Sequence, residues 1–407
     1  MTGGRRDLTL LAAGQAVSVA GDSAAMVALL LRMRPEGSGW VAALLAAELV
    51  PFVLCAPYSG RIVDHVETRR VLLIALLGQA LVAVPLAVFT QPVITVALFA
   101  ALNALATLVR PATSTLVPAA VDEQHAAHGY ARLATGAGLG FIAGPVLGGL
   151  VTGTAGSTAT LLADAATFAI LTGFVGLVRV RRPVTTGSQS PRDRARVWAG
   201  FELLWHEPVL RSALTVSAIA TGAAVLDNVA APFRFINQLG TSDFGYGLYL
   251  ALWGAGSLLG IQLLPRLSAH RHPAALAIGN MLIGLGIAAI GLAPDLPLAL
   301  AASVVGGFGN GLANVAQNAL IAVYTPTEQR GQAFAAAGAG LQAAIGAGTA
   351  AAAPLVTALG AGHAMATAGA LATTTALTGH ITTLMHQAVA RTPEPGSMSS
   401  FDAHPPA

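Results

Sequence analysis

The sequence has no lysine, a single cysteine, and few charged or aromatic residues. Only 10% of its 407 residues are charged and 5% are aromatic, whereas about a quarter of an ordinary soluble domain is charged. Because Cys55 is the only cysteine, the chain forms no internal disulfide. Without lysine, the Gly-x-x-x-x-Gly-Lys-Ser/Thr loop that binds ATP phosphates is excluded in its usual form. The composition therefore argues against a soluble domain and against a protein that hydrolyses ATP to drive transport.

Apolar segments are what the sequence has in abundance, since 55% of its residues are hydrophobic. They form about twelve stretches of roughly twenty residues, the length that crosses a bilayer as a helix. We therefore predict an all-α integral membrane protein with twelve transmembrane helices. The predicted helices cover residues 8–31, 39–59, 71–90, 93–116, 131–152, 158–178, 209–233, 244–264, 274–293, 297–322, 332–358 and 363–385.

A long polar segment divides these helices into two groups of six. It contains a flexible stretch followed by Val197, Phe201, Leu204 and Trp205 at helical spacing, which predicts an amphipathic helix on the membrane surface. The predicted domains are an N-terminal six-helix bundle at 1–178, a cytoplasmic linker at 179–208, a C-terminal six-helix bundle at 209–385 and a disordered cytoplasmic tail at 386–407.

The two groups share short sequences at corresponding places, which indicates two pseudo-repeats. The matched pairs are Asp22 with Asp227, Asn103 with Asn310, and Gly136-Ala-Gly-Leu139 with Gly338-Ala-Gly-Leu341. In transporters, such a duplication places the substrate site between the halves, near the middle of the bilayer.

The arginines predict the orientation of the chain. Of the 21 arginines, all except Arg32, Arg34 and Arg234 lie on the predicted side of the membrane that holds both termini. By the positive-inside rule this side is cytoplasmic. We therefore expect a multi-pass protein of the cell inner (cytoplasmic) membrane with both termini in the cytoplasm. Because these arginines lie in loops on one side of the bilayer, no nucleic-acid partner is expected despite the net charge of +3.

Acidic residues inside the predicted helices point to chemistry, because an unpaired charge there costs about 2.5–3.5 kcal/mol. They are Asp22, Glu48, Asp164 and Asp227. Asp22 and Glu48 lie at similar depth near the middle of their helices, so the pair would hold a proton readily in a medium of low dielectric constant. Asp22 could instead hydrogen-bond neighbouring helices, and Asp164 is interpreted as structural or interfacial. Asp227 could form an ion pair with Arg234, seven residues further along the same helix.

Two longer motifs resemble those of a known family, the major facilitator superfamily. Gly60-Arg-Ile-Val-Asp64-His-Val-Glu-Thr-Arg69-Arg70 is similar to the family's G-x-x-x-D-(R/K)-x-G-R-(R/K) loop between helices 2 and 3, although His65 and Glu67 depart from that pattern. Gly140-Phe-Ile-Ala-Gly144-Pro145-Val-Leu-Gly148-Gly149 is similar to the G-x-x-x-G-P-x-x-G-G motif in helix 5 of its drug and metabolite proton antiporters. Gly14-Gln15-x-x-Ser18-x-x-Gly21-Asp22 and Asp164-Ala165-x-x-Phe168 resemble the branch that includes macrolide and siderophore exporters.

This resemblance implies a secondary transporter that expels a small, largely apolar organic compound in exchange for protons by alternating access. Helices 1 and 7 line the cavity in this family, which favours Asp22 and Asp227 as proton-coupling residues. Glu48, at a depth similar to that of Asp22, is a third candidate. The expected partners are the small-molecule substrate, protons and the lipid bilayer, with the protein acting as a monomer. No cofactor and no metal are expected.

The loop motif is interpreted as a latch on the inner gate. Asp64, which follows Gly60 at the end of helix 2, could accept hydrogen bonds from the amino end of helix 11, where the helix dipole favours an anion, while Arg69 and Arg70 brace the loop. The alternative is that Asp64 is a solvated turn residue and that the two arginines only set the topology.

The helix 5 motif is interpreted as a seal between the halves. Gly140, Gly144 and Gly148 fall on one face at a spacing of four, so a neighbouring helix can approach closely. Pro145 removes a backbone donor and favours a bend, and Gly149 completes the motif. Generic packing of small residues is the alternative.

Polar residues in helices 4 and 10 are candidates for substrate binding. They are Asn103, Arg110, Asn310, Asn314 and Gln317. Arg110 could instead extend to the membrane interface, and the amides could join helices to each other.

Three other functions stay open from the sequence alone. An importer or facilitator of a nutrient or lysolipid would use the same fold, and the Gly144-Pro145 pair is the feature against it. A membrane receptor or scaffold without transport is a second alternative. A membrane enzyme is least expected, because no nucleophile, base and oxyanion-binding set converges.

Overall fold

The computed structural model describes residues 2–120, 126–177, 200–326 and 329–391, and within these ranges it is helical without a β-strand. The helices of the first half begin with α1 (Thr2–Met33), α2 (Ser38–His65), α3 (Thr68–Val88) and α4 (Pro92–Ala120). The second half contains α7 (Pro208–Gln238), α8 (Asp243–Ile261), α9 (His272–Leu292), α10 (Leu296–Tyr324), α11 (Arg330–Leu359) and α12 (Ala361–Arg391).

One continuous helical segment, Ala126–Leu177, contains two arms. Its apolar part is 46 residues long and would measure about 69 Å if straight, more than twice the hydrocarbon thickness of about 30 Å. The chain turns at Gly156, whose φ of 85° is open to glycine but strained for other residues. We label the arms α5 (126–155) and α6 (157–177). The turn falls in the gap that the sequence predicts between residues 152 and 158.

Helix α7 changes its hydrogen-bond pattern along its length. It consists of Pro208–Ala224, the short helix Leu226–Pro232 and a π-helical turn at Phe233–Gln238. The first two pieces meet at Val225, whose φ of −61° and ψ of −22° stay helical and whose carbonyl accepts from Asn228, three residues on. The π-helical turn follows Pro232, which cannot donate a backbone hydrogen bond. A seven-residue piece of helix therefore lies between a tightened turn and a π-helical turn.

Ten helical segments of the described residues are long and apolar enough to cross a membrane. Large apolar side chains such as Leu81, Ile74 and Leu292 point outward and are more than half exposed, as lipid contact requires. The prediction of an all-α membrane protein is therefore confirmed. Counting Ala126–Leu177 as two crossings and adding α12 would give the predicted twelve, and that number stays a prediction.

The helices pack in two groups. In the first, α1 lies against Ala126–Leu177, α2 and α3 pack on α4, and α3 also packs on α6. In the second, α9 packs on α10 and α12, α8 packs on α10, and α7 packs on α11 and α12. The groups meet where α5 contacts α8 and where α2 contacts α11. Residues 200–206 form a helix that precedes α7, and its Gly200 lies on the backbone of α11. The rest of the predicted linker up to residue 199, and the tail from residue 392, lie outside the described residues, so the domain limits stay a prediction.

An arginine near one end of α1 and another near the same end of α7 make equivalent contacts. Arg32 donates to the carbonyl oxygens of Leu86 at 2.9 Å and Ala87 at 3.1 Å, which end α3. Arg234 donates to those of Ile290, at 3.1 Å, and Ala293, which end α9. The last carbonyls of a helix have no partner within the helix and carry partial negative charge, so a guanidinium satisfies both needs. The shared device is consistent with the repeat that the sequence indicates.

Candidate functional site

A cavity of about 800 Å³ lies between the two groups of helices. Its walls come from α1 to α6 on one side and from α7, α8 and α11 on the other. Most of the lining is apolar and includes the rings of Phe52, Phe141 and Phe168. Amide side chains are spread among them: Gln15, Gln79, Asn103, Asn228 and Gln342. A mostly apolar pocket with a few separated polar groups is the usual form of a small-molecule site.

The cavity is closed at the end of the molecule opposite the termini. There, Arg34 donates to Asn237 Oδ1 at 2.7 Å, and the Ser38 hydroxyl lies 3.0 Å from that of Thr357. The lining residues begin about 7–8 residues further along the helices, or about 11 Å away at 1.5 Å per residue. Leu45 on α2 and Thr349 on α11 are examples. The cavity thus begins about two helical turns from the closed end and extends along the helices toward the end that holds the termini.

Two carboxylates, Asp22 and Glu48, stand in the cavity wall. Asp22 comes from the middle of α1 and Glu48 from α2, and both side chains are exposed to the cavity space. They are close enough for the charge of Glu48 to act on Asp22. No basic residue is among the described lining residues, and the side chain of Arg110, a predicted substrate-binding residue, lies outside the described part of the chain. Among the described lining residues, the only ionisable groups are therefore acidic. Such a wall fits a proton or a cationic group of a substrate.

A third acidic residue, Asp164 on α6, lies behind Asp22. It is 3% exposed, and its Oδ1 accepts a hydrogen bond from Thr167 at 3.3 Å. A Cβ at Gly21 would come within 2.5 Å of that oxygen, so only glycine at position 21 lets the carboxylate approach α1. Asp164 therefore faces the helix that carries Asp22.

Asp227, the counterpart of Asp22 in the repeat, is turned away from the cavity. It is 4% exposed, and its Oδ2 accepts a hydrogen bond from the Tyr249 hydroxyl of α8. Its neighbour Asn228 lines the cavity instead. Asp227 and Arg234 do not form the ion pair that was the predicted alternative. Arg234 instead donates to the carbonyls at the end of α9 and to Gln238 Oε1 at 3.0 Å. The coupling role of Asp227 stays a prediction.

The candidate substrate-binding amides are divided between several places. Asn103 lines the cavity and donates to the Phe99 carbonyl at 2.9 Å. Asn314 donates to Asn310 Oδ1 at 3.1 Å on the same helix, and neither is among the residues that line the cavity. Gln317 lines a separate, smaller space between α7, α10, α11 and the helix at 200–206. Gln15 and Asn228 also line the cavity, but the sequence did not lead us to predict them as substrate-binding residues. The signal that could have found them is a polar residue inside an apolar segment.

The loop motif is described only in part. Helix α2 runs to His65, beyond the predicted end at residue 59, so Gly60 to Asp64 belong to its last turns. The side chain of Asp64 lies outside the described part, and the latch stays a prediction, as does the role of Gly60. Arg69 donates to the carbonyl oxygens of Val175, at 3.2 Å, and Gly176, at the end of α6. Arg70 forms an ion pair with Glu67 at 3.0 Å.

The glycines of the helix 5 motif face α1 rather than the other half of the protein. A Cβ at Gly140, Gly144 or Gly148 would lie 2.5–2.7 Å from backbone atoms of Ala16, Ala20 or Ala24, respectively. The boundary between the halves is formed by the adjacent positions instead. Gly149 touches the backbone of Asp243, and the Pro145 carbonyl lies against Gly247 of α8. The spacing of four located the close approach correctly, but it could not reveal which helix approaches.

A bundle of apolar helices around a central cavity open toward one side of the membrane defines a membrane transporter rather than an enzyme. The sequence model of the Major Facilitator Superfamily matches residues 11–348 and 228–399, and the chain belongs to this family. The family prediction is confirmed.

Known relatives and solved structures agree with this assignment. The chain is 28% identical over 326 residues to the multidrug efflux pump Tap of Mycolicibacterium fortuitum, covering 74% of this chain and 77% of that protein. It is 27% identical over 341 residues to Tap of Mycobacterium tuberculosis strain H37Rv, covering 78% and 79%. The nucleoside transporter NupG has the same fold, with a TM-score of 0.76 and 13% identity over 95% of this chain and 100% of that one. A bacterial homologue of the iron transporter ferroportin, in its inward-facing state, gives a TM-score of 0.70 and 16% identity over 92% and 98%.

Proposed function

We propose that this protein exports a small, largely apolar organic compound across the cell membrane in exchange for protons. The observation that carries the proposal is the cavity between the halves, whose described charged groups are the carboxylates Asp22 and Glu48. The relatives named multidrug efflux pumps support export of drugs or secondary metabolites.

The chemistry of the cavity wall supports the substrate class. Three phenyl rings and many aliphatic side chains bury apolar surface, and separated amides such as Gln15 and Asn228 bind individual polar groups. No arginine is present in the described lining to bind a strong anion. A neutral or cationic compound with a large apolar surface therefore fits best.

The proton step follows from where the carboxylates lie. In a medium of low dielectric constant, two neighbouring carboxylates repel each other when both are ionised, so one retains a proton. A substrate that enters the cavity favours release of this proton toward the same side. After the halves rock, a proton from the opposite side replaces it and the substrate leaves. A potential of 100 mV supplies about 2.3 kcal/mol for each charge that crosses.

The orientation follows the arginines. With the termini in the cytoplasm, as the positive-inside rule predicts, the cavity opens to the cytoplasm, where an exporter collects its substrate. The closed end, where Ser38 meets Thr357, then faces the outside.

The test begins with a host that lacks its own efflux pumps, exposed to a panel of antibiotics and metabolites with and without this chain. An exported compound is then followed in vesicles under an imposed pH gradient. We expect Asp22→Asn to abolish export against a gradient while the protein folds and still equilibrates the compound, because asparagine keeps the shape but cannot carry a proton. The matched control is Glu36→Gln, an exposed acid in the turn between α1 and α2, which should export normally. Gradient-driven export that survives in both Asp22→Asn and Asp227→Asn contradicts the proposal, and accumulation inward would identify an importer.

A further inference from the structure

Asp227 lies in a closed pocket beside the cavity, and it is not one of the residues that line the cavity. Its Oδ2 accepts a hydrogen bond from Tyr249, and its Oδ1 is buried with no hydrogen-bond partner among the described residues. The residue is 4% exposed. A carboxylate that is ionised in such a place, with one neutral donor, carries a large desolvation cost. The pocket therefore favours the neutral, protonated acid.

Three aromatic rings make the pocket apolar and rigid. Phe235 stacks on Tyr249 with ring centroids 4.5 Å apart, and Tyr246 lies 5.9 Å from Tyr249. All three rings are 0–1% exposed. Of the two tyrosines of α8 beside Asp227, Tyr249 donates a hydrogen bond to it, whereas Tyr246 makes no described hydrogen bond with it. Because Tyr249 supplies the one described hydrogen bond, it sets how well the ionised form is tolerated.

The hydrogen-bond pattern of α7 changes on both sides of Asp227. The helical piece Leu226–Pro232 lies between the tightened turn at Val225 and the π-helical turn Phe233–Gln238. Such π-helical insertions are frequent at functional sites. Asp227 and Asn228 are adjacent, so they point about 100° apart around the helix. A turn of this one piece by that angle would replace Asn228 with Asp227 in the cavity wall.

We propose that Tyr249 is a positioning residue that holds protonated Asp227 in this closed pocket, and that rotation of Leu226–Pro232 delivers the acid to the cavity for proton release. This proposal rests on the proposed proton-coupled function and deepens it. On release, the O–H bond of the Asp227 acid breaks, the proton passes to water in the cavity, and the carboxylate remains. The pocket thus stores a proton away from the substrate until Leu226–Pro232 rotates.

Infrared difference spectroscopy on the purified protein in liposomes tests the first part without a substrate. The carbonyl band of a protonated carboxyl is followed through a pH titration, and the band of Asp227 is the one that Asp227→Asn removes. Tyr249→Phe deletes the donor that stabilises the ionised form, so we expect the band to persist to a pH higher by about one unit. Tyr246→Phe removes a hydroxyl from the same cluster of rings but leaves that hydrogen bond in place, and it should keep the wild-type midpoint.

Thiol labelling in a Cys55→Ala background tests which of the two positions faces the cavity at rest, and a fall in the reactivity of Asn228→Cys as Asp227 deprotonates tests the rotation. Asn228→Cys should react quickly with a soluble reagent because position 228 lines the cavity, and Asp227→Cys should react at least tenfold more slowly. An unchanged infrared midpoint in a folded Tyr249→Phe protein, or equal labelling at positions 227 and 228, overturns the proposal. Neither measurement requires transport, so loss of gradient-driven export in the Asp22 variant and failure here are separate results.

Discussion

At the scale of single residues, three arginines each pair their positive charge with carbonyl oxygens at the end of a neighbouring helix. Arg32 and Arg234 donate to the last carbonyls of α3 and α9, and Arg69 donates to those of α6. Each helix end supplies oxygens that have no partner within the helix. Arg69 belongs to the loop motif, so the structure gives this motif residue a defined contact.

Arg69 and Arg70 are neighbours with different partners, and this gives a matched pair of mutations. We expect Arg69→Ala to lower the free energy of unfolding by about 1–2 kcal/mol, because the α6 carbonyls lose a charged donor. Arg70→Ala should cost less than about 1 kcal/mol, because its ion pair with Glu67 is formed by a side chain that is 75% exposed. Denaturation of the detergent-solubilised variants measures both. Equal losses would mean that the contact with α6 contributes nothing specific.

At the scale of helices, the two halves differ in how a corresponding pair of helices packs. In the first half, Gly140, Gly144 and Gly148 bring α5 onto the backbone of α1. In the second half, α11 touches α7 closely where Gly348 meets Gly222, whereas Gly338 has open space around it. The repeated sequence therefore does not produce a repeated interface.

This difference predicts opposite outcomes for one substitution in two places. A valine at position 144 would place its Cβ 2.6 Å from the Ala20 carbonyl oxygen, and backbone cannot move aside cheaply. We expect Gly144→Val to lose about 1–3 kcal/mol of stability, as overpacking does, and to show a lower melting temperature. At position 338 an added Cβ meets nothing within 4 Å, so Gly338→Val should melt as the wild type does. A Gly144→Val protein of normal stability that fails only in export would instead favour the seal that the sequence predicts.

At the scale of the whole molecule, the halves are joined at one end and separated at the cavity. The contacts at the closed end include polar pairs such as Ser38 and Thr357. Polar contacts can separate with little cost from exposed apolar surface, as the proposed alternating access requires. The opposite closure, for which the sequence predicts Asp64 as the latch, stays a prediction.

A cross-link at the closed end tests whether this separation is part of the cycle. The Ser38 and Thr357 hydroxyls are 3.0 Å apart, a separation compatible with a disulfide between α2 and α11. In a Cys55→Ala background, we expect oxidation of the Ser38→Cys, Thr357→Cys protein to stop export and reduction to restore it. Each single variant should be insensitive to oxidation. Undiminished export by the fully cross-linked protein would show that this end does not open.

Composition and local pattern by themselves determined the class of the protein. The scarcity of charge and the length of the apolar segments predict a helical membrane protein. In a bilayer, backbone N–H and C=O groups must form their hydrogen bonds within each span, as a helix allows. The gaps between apolar segments located turns, including the one at Gly156 between residues 152 and 158. The loop and helix 5 motifs carried the family, and the acidic residues within spans pointed to Asp22 and Glu48.

The tertiary structure alone decided which of the polar residues share a site. In a soluble helix, an apolar face reveals the side that packs inward, but here lipid and protein interior are equally apolar and that signal is weak. The sequence therefore could not say that Asp227 turns toward Tyr249 while Asn228 lines the cavity, or that Gly144 faces α1. Helical spacing defines which residues share a face, whereas the identity of the facing helix depends on contacts between residues far apart in the chain. For this reason the cavity, and the closed pocket beside it, exist only once all the helices are assembled.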